Sequence, residues 1–229
     1  MTRLHVFDMD GTLLRGSATI EICRHIGHLE TAQAIEDGWV RGEIDDMQFW
    51  DMCQPLWKDL TDAQIDLAFH SGQWIDGVAD VLADIAARGE YSAVITQSPQ
   101  FFVDRMLGWG ATTAHGAAIQ PGVPLTGPDV LMTVDDKVKI TTKLMAEYGL
   151  TEADCVAYGD STSDVALFGH LRNTVSVNGN PTIRQLAAVS YEGWDIREAY
   201  AAGRALLEGR RPDRPAPDKD GAQACFDRS

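Results

Sequence analysis

Four short apolar runs, Leu4 to Phe7, Ser92 to Ile95, Cys155 to Tyr158 and Thr174 to Val177, each stop abruptly at a polar turn. Runs of that length bounded by turn residues read as buried strands. The stretches between them carry helical spacing instead, as in Val78-Leu82-Ile85-Ala86 and Ile140-Leu144-Met145-Tyr148, the latter closed by Gly149 at a C′ position. Strands alternating with helices predict an α/β chain: a doubly wound, mostly parallel sheet with helices on both faces.

Three segments depart from that alternation. Residues 16–74 show helical patterning and hold Trp39, Trp50, Trp57 and Trp74, which predicts a helical insert hinged at Gly16-Ser17 and Ser71-Gly72. Residues 1–15 and 75–208 would then form the core. Between Ala111 and Val134, apolar pieces broken by Gly116, Pro121, Gly122, Pro124, Gly127 and Pro128 predict a hairpin-like excursion at the sheet edge. Residues 209–229, proline-rich and of mixed charge, predict a disordered tail.

The chain carries 34 acidic against 19 basic side chains, a net charge of −15. That excludes the basic face needed to neutralise nucleic-acid phosphates, and it disfavours anionic membrane surfaces. No apolar run is long enough to span a bilayer. The four cysteines form no CxxC pair and the first residues form no apolar leader, so a reducing cytoplasm is expected. Nothing in the sequence signals an oligomeric state.

Chemistry is concentrated where strands end. Asp8-Met9-Asp10-Gly11-Thr12 follows the first strand directly, and two carboxylates at the carboxyl end of a parallel strand face the crevice where such sheets bind ligands. They suit a hard divalent cation, or a nucleophile and a proton carrier. Taken alone, the motif is also an ordinary turn. Gly159-Asp160-Ser161-Thr162-Ser163-Asp164 follows another strand and supplies a second pair of carboxylates. Thr96 ends a strand, and its hydroxyl with the backbone N–H groups of Gln97 and Ser98 can cradle phosphate oxygens, while Lys137 can neutralise a dianion. Four such elements, each at a strand end or helix start, are poorly explained by coincidence.

Together these motifs resemble the haloacid dehalogenase-like hydrolases, in particular their phosphoserine phosphatase-like branch, over residues 4 to about 187. Asp8 to Thr12 is similar to the first motif, Val94-Ile95-Thr96 to the second, Lys137 to the third and Gly159 to Asp164 to the fourth; Val175-Ser176-Val177-Asn178 is similar to the strand and Asn turn that follow. The resemblance implies a Rossmann-like core under a helical cap. It implies a Mg²⁺-dependent phosphatase acting on a small-molecule phosphate ester, with Asp8 as nucleophile and Asp10 as general acid and then base. Thr96, Gln97 and Lys137 would hold the phosphoryl group. Asp8, Asp160 and the main-chain carbonyl of Asp10 would bind the metal, with Asp164 positioning Asp160, Lys137 or a metal-bound water.

In phosphoserine enzymes of this branch, the loop after the first motif offers a Glu to the substrate ammonium, and a cap helix offers an Arg to its carboxylate. An ungapped reading puts Ser17 and Cys53 there, with Glu21, Arg24 and Arg41 nearby. The expected substrate is therefore a sugar, polyol or ring-bearing phosphate, with phosphoserine as the alternative. Trp50, or another of the insert's tryptophans, could stack on such a ring, although tryptophans in a helical bundle usually form its core. His25, His70 and the cysteines are expected only to pack. A phosphoacceptor signalling module would use similar residues, but it has no place for the helical insert or for Asp160 and Asp164 after Thr96 and Lys137. A DxD glycosyltransferase would leave Lys137 and the second acidic loop without a role, and a binding protein without turnover would be marked by loss of Asp8 or Asp10.

Overall fold

The structure, a computed structural model, describes residues 2–210. Strand β1 (Leu4–Phe7) leads through the first acidic motif into helices α1 (Ala18–His25), α2 (Leu29–Val40), α3 (Asp46–Cys53) and α4 (Asp62–Ser71). The chain then continues through α5 (Val78–Ala87), β2 (Tyr91–Pro99), α6 (Gln100–Val103), β3 (Thr113–Ala117), α7 (Val134–Tyr148) and β4 (Cys155–Gly159). It ends with α8 (Val165–His170), β5 (Thr174–Val177), α9 (Pro181–Leu186), β6 (Val189–Tyr191) and α10 (Ile196–Leu207).

All six strands are parallel, in the order β3-β2-β1-β4-β5-β6. Alternation along each strand supplies both faces. Leu4, Val6, Ala93, Ile95, Cys155 and Ala157 pack against Leu144, Met145, Leu167, Phe168 and Ile183. Their neighbours Phe7, Val94, Val156, Tyr158, Val175 and Val177 pack on the opposite side with Val78, Leu82, Ile85, Phe102 and Leu206. With both faces covered, the strands read as the unbroken apolar runs seen in the sequence. Gly149 closes α7 in the left-handed region, φ 66°, as its position after Tyr148 predicts.

The segment 111–134 is not a hairpin. Residues Thr113–Ala117 form the parallel edge strand β3, paired to β2 with a register shift between Ile95 and Pro99, and the Pro- and Gly-rich remainder runs on to a short turn of helix at Pro128–Val130. The strand carries no apolar run because it is half-buried and interrupted by Gly116, whose backbone lies against Ser98 and Gln100 too closely for a Cβ. Gly209 and Arg210 follow α10 in a turn; the rest of the expected tail, residues 211–229, lies outside the described residues.

The helices of residues 18–71 pack through an aromatic cluster that is continuous with the apolar residues on one face of the sheet. Trp50 meets Phe49 edge-on at 4.7 Å and lies 5.8 Å from Trp57, which in turn meets Phe101 of α6 edge-on. Trp57 and Trp50 are buried, while Trp39 is 42 % exposed with its indole N–H on Asp46. Bridges between Leu14 and Trp74, together with Arg15 N on Gln73 O, join the two crossings of this segment to the core. Among the described residues no helix is long and apolar enough to cross a membrane.

Candidate active site

Because β1 lies between β2 and β4, the residues just past the carboxyl ends of all three converge. Asp8 is held at the end of β1 by its own N–H on Tyr158 O at 2.9 Å, and its Oδ1 accepts from Met9 N at 2.8 Å. On the far side, α7 begins with a capping box in which Thr133 and Asp136 satisfy each other's backbone groups. That fixed start places Lys137 in the first turn, 1 % exposed, with Nζ 3.0 Å from Asp8 Oδ1 and 2.7 Å from Asp164 Oδ1. Lys137 also donates to Ser163 Oγ at 3.1 Å. Burial works against its charge, but the Asp8 and Asp164 carboxylates outweigh it and hold the ammonium above the ordinary lysine range.

Asp164 organises the second acidic loop. Its Oδ2 accepts the backbone N–H groups of Asp160 and Ser161 while Oδ1 faces Lys137, so both oxygens are engaged. Asp160 keeps only a long contact from the Thr12 hydroxyl, at 3.4 Å. Gly159 and Gly11 make these approaches possible: a Cβ on the first would overlap the Asp164 carboxylate and on the second the Asp160 carboxylate, and Gly11 adopts φ 75° besides.

Carboxylate oxygens of Asp8, Asp160 and Asp164 lie within 4.8 Å of one another. Burial, then the Asp164 charge, push Asp160 up to about 7, and the same two causes raise Asp8 well above the carboxylate range. Two buried acids and the half-buried Asp160 facing one lysine leave uncompensated negative charge. An all-oxygen donor set with that imbalance fits a hard divalent cation. With Asp164 already committed on both oxygens, Asp8 and Asp160 have the open donor positions.

The Asp10 carboxylate faces elsewhere. Its Oδ2 accepts from Thr96 Oγ1 at 2.9 Å and its Oδ1 from Ala18 N, at the start of α1, at 2.8 Å. Burial raises its pKa, more than the surrounding hydrogen bonds lower it. With the carboxylate turned to Thr96 and Ala18, its main-chain carbonyl is the group better placed to serve a metal. Thr96 Oγ1 accepts from Ser98 N at 3.1 Å, and Gln97 donates its side-chain amide to Met132 O at 3.0 Å, tying β2 to the approach to α7.

The residues expected to read the leaving group are placed differently from one another. Ser17 caps α1, accepting from Ile20 N at 3.2 Å. Glu21 is buried and paired with Arg24 on its own helix, 3.4 Å away, and Arg41 forks onto Glu43 at the surface. Cys53 is fully buried, its thiol kept neutral by burial. Trp50 belongs to the aromatic cluster described above. His25 meets Ser71 Oγ at 2.7 Å, and Cys23, Cys53 and Cys155 are free buried thiols.

Glu36, on α2, is the residue the sequence did not reveal: its Oε1 accepts the Ser17 hydroxyl. Burial pushes Glu36 up to about 7, and Asp10 is close enough to add to the rise. Its helical position gave no clue, because the partner lies across a helix–helix contact.

The family model for haloacid dehalogenase-like hydrolases matches residues 5–169. Curated relatives include a phosphoserine phosphatase of Methanocaldococcus jannaschii, 25 % identical over 86 % of this chain and 95 % of its own. Another is the phosphoserine phosphatase of Albidiferax ferrireducens, 27 % identical over 83 % of this chain and 84 % of its own. Among solved structures, a substrate-bound phosphoserine phosphatase complex superposes with a TM-score of 0.72 at 22 % identity, covering 88 % of this chain and 98 % of that one. A phospho-aspartyl intermediate analogue of phosphoserine phosphatase gives 0.71 at 23 %, covering 87 % and 98 %. With four strand-end motifs converging on one crevice and a family match spanning most of its length, the chain belongs to the haloacid dehalogenase-like hydrolases, on their phosphoserine phosphatase-like branch.

Proposed function

We propose that this protein is a Mg²⁺-dependent phosphatase that hydrolyses a small-molecule phosphate monoester through an aspartyl-phosphate on Asp8. The observation that carries the reading is the buried contact between Asp8 and Lys137 beside the Asp160–Asp164 loop. A phosphoryl dianion repels an attacking carboxylate, so the approach of Asp8 requires fixed positive charge at the same place. Lys137 supplies part of it. Mg²⁺ held by Asp8, Asp160 and the Asp10 carbonyl would supply the rest as a Lewis acid on the phosphoryl oxygens.

In the first step an Asp8 oxygen bonds to phosphorus as the ester P–O bond breaks, and Asp10 gives its proton to the departing oxygen. Burial raises its pKa, the direction a proton donor requires. In the second step Asp10, now ionised, takes a proton from water, whose oxygen bonds to phosphorus while the P–O bond to Asp8 breaks. Thr96 donates to Asp10 before reaction and stands ready to meet a phosphoryl oxygen, as does the Lys137 ammonium.

We assign residues 16–74 to a cap and residues 1–15 and 75–208 to the core, with the cap selecting the leaving group. The phosphoserine reading is supported by the names of the curated relatives. Against it, Cys53 is a buried neutral thiol, and Arg24 and Arg41 are engaged by Glu21 and Glu43. A sugar, polyol or ring-bearing ester needs no such cation. Phosphate release from a panel of phosphorylated amino acids, sugars, polyols and aryl alcohols, with Mg²⁺ and with chelator, tests the reading; absence of metal-dependent release from every ester would overturn it.

A further inference from the structure

The phosphoryl-transfer residues leave one polar pair beside them unused. Ala18 N fixes the Asp10 carboxylate at 2.8 Å, and Ser17 is the residue immediately before it. The Asp10 carboxylate therefore lies close to Ser17 and to Glu36, which Ser17 contacts and whose charge Asp10 opposes. The direction of that contact is set by the helix cap: Ser17 Oγ accepts from Ile20 N, which leaves its hydroxyl proton for Glu36. Glu36 is thus an acceptor aligned from two sides, by α2 beneath it and by the cap of α1.

Among the described residues, Glu36 has no compensating charge. It is half-buried, its hydrogen bond comes from one hydroxyl, and the charges it feels, Asp10 and Asp37, are both negative. A carboxylate offers about four lone-pair sites, so one hydroxyl leaves most of its accepting capacity open. Burial and these charges disfavour its charged form, which a cation that brings N–H donors would stabilise most. Around it, Cys23 and Cys53 are buried thiols that both sense the Glu36 charge, and among the described residues the charges that bear on Glu36 include no cation for a substrate carboxylate.

We infer that Glu36, oriented by Ser17, receives the ammonium of a leaving group that carries an amine and no carboxylate. The substrate class is then the phosphate esters of amino alcohols, open-chain or ring-bearing. This rests on the phosphatase reading and narrows its leaving group. Binding through Glu36 would place the amine within a few bonds of the ester oxygen that Asp10 protonates.

The test compares kcat/KM for matched esters with purified full-length protein and Mg²⁺: O-phosphoethanolamine against 2-hydroxyethyl phosphate, and glucosamine 6-phosphate against glucose 6-phosphate, with phosphoserine and p-nitrophenyl phosphate alongside. An amine preference of about tenfold or more is expected in at least one pair, the usual scale for a hydrogen bond to a charged group. Phosphoserine should fall below O-phosphoethanolamine. Glu36→Gln should bring the amine-to-neutral ratio close to one, and because the ratio is internal to each preparation it does not depend on the fraction folded. Amine preference in neither pair, a preference for phosphoserine, or a ratio unchanged by Glu36→Gln would overturn the inference. Turnover of p-nitrophenyl phosphate without amine preference overturns it alone, whereas no turnover of any ester overturns the phosphatase reading as well.

Discussion

Lys137 Nζ lies 3.0 Å from Asp8 Oδ1, and both side chains are buried although they enter the site from different elements, the start of α7 and the end of β1. The pairing holds the Asp8 carboxylate in place and lowers the cost of its charge. It also sets positive charge where phosphoryl oxygens would accumulate negative charge.

Replacing the nucleophile should end turnover. Asp8→Asn keeps the shape and removes the attacking oxygen anion, so phosphate release should fall to background and no acid-stable, hydroxylamine-sensitive phosphoenzyme should form. Quenching with labelled substrate reads this directly. Substantial turnover by the purified variant would exclude the covalent route.

Loss of Asp10 should depend on the leaving group. Asp10→Asn should slow an alkyl phosphate by about 10²- to 10⁴-fold, the usual range for a positioned acid or base. An activated aryl phosphate, whose leaving oxygen needs no proton, should lose less in single-turnover formation of the phosphoenzyme. Equal losses in that step would remove Asp10 from the leaving-group role.

The acidic cluster should make the metal-free protein less stable as pH rises. Asp160 is pushed up to about 7, first by burial and then by Asp164. Between the ordinary carboxylate value and about 7, the folded chain holds a proton that the unfolded chain has released, so stability declines through that window with rising pH. His5, whose pKa burial lowers, acts in the opposite sense below 6.5. In chelator at neutral pH, Asp160→Asn should therefore raise Tm by several degrees and flatten the decline. Scanning calorimetry across the window checks both, and an unchanged slope would exclude Asp160 as its source.

Away from the site, Gly203 admits α10 against the sheet. A Cβ there would overlap the Tyr158 hydroxyl, which is buried and lies 3.1 Å from His5 Nδ1. Gly203→Ala should cost about 1–3 kcal/mol by overpacking, visible as a lower denaturant midpoint with the slope unchanged. No loss would mean that Tyr158 can shift without breaking its contact with His5.

Much of the molecule is legible because its signals are local. Asp8, Asp10, Asp160 and Asp164 follow strand ends and Lys137 a helix start that short-range patterning marks, whereas Thr96, expected to end its strand, lies inside β2, which runs on to Pro99; the structure brings all six to one crevice. Edge strands β3 and β6 were hidden because each is only partly buried, so neither carries an unbroken apolar run.

The sequence by itself determined the alternation of strands and helices, the position of the helical insert and the order of the acidic motifs, since periodicity and turn chemistry act over a few residues. Tertiary structure decided which side chains meet. Only packing of α2 against the start of α1 brings Glu36 to Ser17, and only sheet order sets Lys137 between Asp8 and Asp164. It also separated the roles of the carboxylates: Asp164 is consumed by backbone amides and Lys137, Asp10 by Thr96 and Ala18, while Asp8 and Asp160 keep oxygens open. The physical reason is that hydrogen bonding and desolvation depend on contacts between elements distant in the chain, to which composition and spacing are blind.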